Sequence, residues 1–235
     1  MYALYIANKN YSSWSLRPWI LMQTLGIPFE ERLVPFGQSA KPHDFHTFSP
    51  SGKVPCLHDG AAVVWDSLAI VEYLAERHAG VWPGDPLARA FARSAAAEMH
   101  SGFAALRQVC GMSCGVRVRL HRIDAPLQRD LARLQALWQE GFARFGGPYL
   151  AGDAFSAADA FYAPVAFRIQ TYRPPLAPAA EAYAERLLAL AGMQSWYAAA
   201  LAETWRDEEH DCETLAAGTV TEDLRRSAAR QAALA

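Results

Sequence analysis

Two short stretches carry side chains whose types and spacing suit chemistry. The first is Asn10-Tyr11-Ser12-Ser13-Trp14-Ser15, polar and turn-prone, with three serine hydroxyls gathered where a helix begins. Serine is a favoured helix N-cap, worth about 1 kcal/mol, so capping is one use for such a cluster. The second stretch runs from Ser49 to Ser67, Ser-Pro-Ser-Gly-Lys-Val-Pro-Cys-Leu-His-Asp-Gly-Ala-Ala-Val-Val-Trp-Asp-Ser. Its Asp59-Gly60 pair is a strong hairpin signal and predicts antiparallel strands over Val54 to Leu57 and Ala61 to Trp65. Pro55 has no amide hydrogen and belongs at an edge, a bulge or a strand start. That leaves the amide and carbonyl of Val54 free to pair with an extended peptide. Asp66-Ser67 then opens an apolar run with helical spacing, Leu68 to Val71, Tyr73 and Leu74. Orphan amides and the positive dipole end at a helix start suit a carboxylate, while the Asp66 carboxylate suits an ammonium. Together Asp66 and Ser67 fit an amino-acid head group.

Other reactive side chains make no comparable set. His43 and His46 are three apart and Cys110 and Cys114 four apart, but no further ligands complete a zinc pattern around either pair. They read as surface histidines and buried inert thiols, and no metal is expected. The acidic run from Asp207 to Asp211 reads as a solvated face or loop. With 4 cysteines in 235 residues there is no disulfide framework, so the thiols are expected to be reduced.

The elements that must position these residues follow from the hydrophobic pattern. The chain is 52% hydrophobic, enough for a buried core in one or two domains. A net charge of -2 gives no basic footprint for nucleic acid or an anionic membrane. No leader pattern opens the chain and no run approaches the roughly 18 apolar residues of a membrane span, so a cytoplasmic protein is expected. Tyr2 to Ile6 reads as a strand, Leu16 to Leu25 as a helix stopped by Gly26 and Pro28, Phe29 to Val34 as a second strand, and Ser67 to His78 as a helix. The order strand, helix, strand, then strand, strand, helix is thioredoxin-like, an α/β arrangement on a mixed sheet. A redox version would carry Cys-x-x-Cys where Ser12 to Ser15 stand, so disulfide exchange is disfavoured. Gly80 to Pro86 is the clearest break. It predicts a domain over 1–79, a linker over 80–86 and an all-α domain over 87–235 of about five helices, with no strand. The first of these, Leu87 to about Cys114, sets Met99, His100, Phe103, Leu106 and Arg107 at three- and four-residue steps. Ser156-Ala-Ala-Asp159 is a capping-box variant with a structural role. The tail from Thr219 reads as a terminal helix or a disordered end.

Val54-Pro55, the tight hairpin and the acidic-Ser pair together resemble the glutathione site of cytosolic glutathione transferases. Ser-Ser-Trp-Ser-Leu-Arg-Pro-Trp resembles the serine signature of zeta-like bacterial members, and Tyr149 to Asp159 resembles the family's C-terminal folding motif. The resemblance spans about residues 2–200. It implies glutathione as co-substrate, with a cis Pro55, Val54 on the cysteinyl backbone, Asp66 and Ser67 on the γ-glutamyl end, and Lys41 and Lys53 near the glycyl carboxylate. It implies Ser12 as the donor to sulfur, with Ser13 and Ser15 as second candidates, and a pocket for a small electrophile near Tyr11, Trp14, His100, Phe103 and Arg107. A homodimer is also implied. Trp14 stands where zeta members carry Cys, a departure from the zeta isomerase pattern. The implied activity is conjugation of glutathione to small hydrophobic electrophiles. Glutathione-dependent isomerisation of the maleylacetoacetate type, with Arg17 and Arg107 for a dicarboxylate, is one alternative; a non-catalytic glutathione-binding or regulatory module is another.

Overall fold

The computed structural model describes residues 1–36 and 45–225. Four strands form the N-terminal sheet: β1 (Tyr2–Ile6), β2 (Phe29–Leu33), β3 (Cys56–Asp59) and β4 (Ala62–Val64), in the order β2-β1-β3-β4. β1 and β2 run parallel, with Tyr2 opposite Phe29 and Ile6 opposite Leu33, and are joined through helix α1 (Ser13–Thr24). β3 returns antiparallel to β1, Leu57 opposite Leu4, and β4 folds back along β3. The turn between them places Gly60 at φ 59°, left-handed backbone that favours glycine. Helix α2 (Ser67–Ala75) completes the thioredoxin-like domain.

α1 shows why its sequence is apolar with little periodicity. It lies between the sheet and the central helix of the second region, so Leu16, Ile20, Leu21 and Met22 are all fully buried. The second region contains α3 (Pro86–Ser101), α4 (Ala104–Val109), α5 (Ala125–Phe145), α6 (Ala157–Tyr172), α7 (Pro178–Leu188), α8 (Ala191–Ala202) and α9 (Glu208–Ala217). α6 is its core, buried over almost its whole length and packed on α1, α3 and α7. The predicted capping box is present at its start. Asp159 accepts hydrogen bonds from the Ser156 amide (2.9 Å) and hydroxyl (3.2 Å), and also from the Leu150 amide (2.9 Å) and the Tyr183 hydroxyl (2.7 Å).

The helical region departs from expectation in two places. The long helix predicted from Leu87 to Cys114 breaks after Ser101. A Cβ at Gly102 would lie 2.7 Å from the Glu98 carbonyl oxygen, and Phe103 turns left-handed at φ 54° before α4 restarts the chain. Cys110 and Cys114 therefore do not share a helix. Second, Val116–Leu120 forms a strand, β5, paired antiparallel with β6 (Gly218–Asp223), so a two-stranded sheet is added to the helices and the chain at Thr219 is a strand. Alternating Val-Arg-Val-Arg-Leu is a strand pattern, completed only by a partner about a hundred residues on. The acidic run is a solvated helix start: it begins α9 with Glu208 and Glu209 exposed, and the Asp207 side chain accepts from the His210 amide. Arg226 and Arg230 lie outside the described residues.

Candidate functional site

A cavity of about 710 Å³ opens between the start of α1, the approach to β3, the α3–α4 break, α6 and α9. Its walls bring together Tyr11, Ser12, Ser13, Trp14, Lys53, Val54 and Arg107 from the sequence-predicted set. Ser12 occupies the α1 N-cap position, yet its side chain caps nothing. Its hydroxyl donates instead to Ser15 Oγ at 2.7 Å, and Ser15 Oγ also accepts from the Ala7 amide at 3.2 Å. Ser15 is thus a fully buried support behind Ser12 and does not reach the cavity wall. Ser13 Oγ accepts from Arg168 Nη2 at 3.3 Å. Trp14 stacks with two guanidinium groups, Arg17 at 4.0 Å and Arg107 at 4.6 Å from its ring, and meets His100 edge-on at 5.2 Å. Tyr11 is tied to the C-terminal elements. Its hydroxyl donates to Asp211 (3.0 Å) and accepts from Arg225 (3.2 Å), and the His210 ring lies 5.2 Å away.

Val54 stands outside the β1–β3 ladder, which ends at the Tyr5–Cys56 pair, and the Val54–Pro55 peptide is cis. Lys53 has no ion-pair partner among the described residues. Lys41 lies outside the described residues, as does His43.

At the start of α2 the two expected head-group residues behave differently. Asp66 is the N-cap and accepts from the amides of Leu68 (2.9 Å) and Ala69 (3.4 Å), so the orphan amides expected to be free are already partnered. Its other oxygen lies 3.1 Å from His100 Nε2. Ser67 is fully buried and its hydroxyl has no partner among the described residues. A buried hydroxyl without a partner costs free energy that a ligand hydrogen bond would recover.

His100 joins α3 to this helix start and does not line the cavity directly. Burial, more than the opposing Asp66 charge, pushes its pKa below the ordinary histidine value, so at neutral pH it is a neutral ring. Phe103 is not a pocket residue. The helix break turns its ring into the core, edge-on to Tyr162 at 6.4 Å.

Arg168 was not singled out by sequence reasoning. Only 5% exposed, it reaches the cavity from α6, donates to the carbonyls of Arg107 (3.3 Å) and Cys110, and leaves its Nε without a partner. Its one signal was an arginine inside the apolar run from Phe161 to Ile169. Arg17, 2% exposed, leaves Nε and Nη1 unpartnered among the described residues. Burial, with Arg107 and Arg168 adding like charge, lowers Arg17 to about 9; burial lowers Arg168 to about 10. Burial lowers Arg107 as well. Among the described residues none of the three forms a salt bridge. Arg107 and Arg168 thus bring two cations to the cavity wall beside serine hydroxyls, an arrangement that suits an anion, while Glu213 of α9 lines the same cavity. Among the described residues no group of three His, Cys, Asp or Glu side chains is placed to hold a metal, and no helix is long and apolar enough to cross a membrane.

Comparison with known proteins agrees with this geometry. Residues 11–77 match the glutathione S-transferase N-terminal domain family. The chain is 26% identical over 188 residues to a glutathione S-transferase-like protein of Beauveria bassiana, covering 76% of this chain and 84% of that one. It is 27% identical over 181 residues to maleylacetoacetate isomerase of Rattus norvegicus, covering 74% and 81%. Among solved structures, the theta class glutathione S-transferase of Xanthomonas axonopodis pv. citri with glutathione bound superposes with a TM-score of 0.61 at 26% identity, covering 83% of this chain and 96% of that one.

Proposed function

We infer that this chain, which belongs to the cytosolic glutathione transferase family, binds glutathione and transfers its sulfur to a small electrophile. The observation that carries the reading is a single cavity whose walls hold both the serine-bearing start of α1 and Val54, a residue left outside its sheet ladder. The residues present fit glutathione. The cysteinyl backbone pairs with Val54 beside Pro55, as an added strand would. The γ-glutamyl head group lies at Asp66 and Ser67, where the buried hydroxyl of Ser67 lacks a partner. Lys53 meets the glycyl carboxylate, with Lys41 assigned to the same role. The sulfur then sits at the start of α1, among Ser12 and Ser13.

A free thiol titrates at about 8.5, so little of it is ionised at neutral pH. Hydroxyl donors, a helix start and nearby cations all favour the thiolate. The protein orients the nucleophile and stabilises its charge, while the electrophile enters beside Tyr11, Trp14 and Arg107. The protein is read as a cytoplasmic homodimer that needs no metal.

A second reading, glutathione-dependent isomerisation, is favoured by one observation: Arg17, Arg107 and Arg168 converge without a salt bridge among the described residues, which suits an anionic substrate. Calorimetric titration with glutathione, followed by assays on a neutral aryl halide and an anionic diketoacid, tests both. Binding with turnover of the aryl halide supports the transferase, and turnover of the diketoacid alone supports the isomerase. Binding without either turnover favours a binding module; no binding overturns the assignment of the cavity.

A further inference from the structure

We propose that Ser13, with Arg168 behind it, is the group that stabilises the glutathione thiolate, and that Ser12 supports this pair. The inference rests on the reading of the cavity as a glutathione site. A serine hydroxyl has one proton and two acceptor positions. Ser12 directs its proton to Ser15 Oγ at 2.7 Å, away from the cavity, and Ser15 is itself fixed by the Ala7 amide. Ser13 is arranged in the opposite sense. Its oxygen accepts from Arg168 Nη2 at 3.3 Å, so its single proton is free for an acceptor in the cavity.

Arg168 has the placement such a role needs. Its Nη1 is held by the carbonyls of Arg107 and Cys110, which fixes the guanidinium, and it lies almost wholly out of water. The groups that face it are Arg107 in the last turn of α4 and Cys110 at its C-cap, Cys114 in the segment before β5, Tyr172 on its own helix and Arg17 on α1. None is a neutralising anion, and Glu213 of α9, which lines the same cavity, forms no ion pair with Arg168 among the described residues. Burial pushes the Cys110 thiol and the Tyr172 hydroxyl each up to about 12, and burial pushes the Cys114 thiol up as well, so all three are uncharged at neutral pH; the rest are cations. A buried, uncompensated charge is costly, and an anion brought beside it offsets that cost.

In the step itself the thiol proton passes to solvent water and the electron pair stays on sulfur. The Ser13 hydroxyl donates to the thiolate while Arg168 polarises that hydroxyl. Ser13 is then a catalytic residue and Arg168 a positioning residue.

The test follows the thiolate absorbance of glutathione bound to the full chain across pH, with calorimetry for binding, in wild type and in Ser12→Ala, Ser13→Ala, Arg168→Lys and Arg168→Met. Wild type is expected to titrate about one unit or more below the ordinary thiol value of about 8.5. Ser13→Ala and Arg168→Met are expected to cut the thiolate near neutral pH by roughly tenfold, with the thiol form still bound, and Arg168→Lys to restore part of it. Ser12→Ala is expected to lower it less than Ser13→Ala does. Ser13→Ala removes only one oxygen, so it reports even if an Arg168 variant fails to fold. A larger loss from Ser12→Ala than from Ser13→Ala overturns the proposal. So does an unmoved titration in the Arg168 variants accompanied by a raised KM for an anionic second substrate, which would give the guanidinium to that substrate. Failure of the wild-type protein to bind glutathione overturns the site reading together with the proposal.

Discussion

Asp159, in the first turn of α6, and Arg168, nine residues further along the same helix, are both buried charges, and they are met by their surroundings in opposite ways. Asp159 is fully enclosed and receives four donors: two backbone amides, the Ser156 hydroxyl and the Tyr183 hydroxyl. It also sits where the helix dipole favours a negative charge. Burial pushes its carboxyl above the usual range while those four bonds pull it back. Arg168 has two carbonyls and one serine oxygen, an unused Nε and no carboxylate in reach among the described residues. A buried charge whose partners are all supplied by the chain belongs to the fold. One whose partners are incomplete, at the wall of a cavity, keeps hydrogen-bonding capacity that the fold itself does not use.

The largest expected effect breaks the Asp159 end. Asp159→Ala leaves the Leu150 amide and the Tyr183 hydroxyl buried without partners and removes the capping box. Its cost is roughly 3–5 kcal/mol, well beyond a lost cap alone. Thermal or denaturant unfolding measures it, and folded protein recovered below its lowered midpoint is expected to bind glutathione. A folded variant that had lost binding would show that the Asp159 end also serves the site.

Tyr183→Phe is a milder form of the same break. It deletes one hydrogen bond to a charged group and leaves the other three, so about 1.5–3 kcal/mol is expected in an unfolding titration. A change within experimental scatter would mean that the Leu150 amide and the Ser156 amide and hydroxyl suffice to hold Asp159.

Arg168→Met sharpens the contrast from the other side. It removes a poorly compensated buried cation and replaces it with a flexible apolar chain, so the stability change is expected to stay within about 1 kcal/mol in either direction. A loss as large as that of Asp159→Ala would place Arg168 with the structural charges, whatever its effect on the thiolate.

The two ends also differ in how far they could be read from the sequence. Ser156 and Asp159 are three residues apart, and local spacing fixes what they do. The same holds for the hairpin at Asp59-Gly60. The Arg168–Ser13 contact joins residues 155 positions apart, and nothing in the apolar run around Arg168 says where its guanidinium points. β5 and β6 were missed for the same reason, since each is short and only their pairing stabilises either. The family resemblance implies Phe103 in the pocket on an unbroken helix, whereas the break at Gly102 turns its ring into the core. Asp66 and Ser67 were legible as a pair, but the carboxylate's grip on the α2 amides and on His100 needed α3 to be in place.

His100 lies between the two extremes and gives the smallest predicted effect. Its Nε2 meets Asp66 at 3.1 Å, while its Nδ1 is buried with no partner. Burial lowers its pKa and Arg17 and Arg107 lower it further, against the opposing pull of Asp66. The folded value therefore lies below the unfolded value of about 6.5. Across that interval the unfolded chain binds the proton first, so stability rises with pH and is fully present above about 6.5; acidification through the interval removes it. The melting temperature of the wild-type protein is accordingly expected to fall with acid more steeply between about pH 7 and pH 5 than that of His100→Gln. Taking the difference between the two proteins cancels the other titrating groups. A shallower slope in wild type would mean that the Asp66 charge outweighs burial, making His100 and Asp66 a compensated pair of the Asp159 kind.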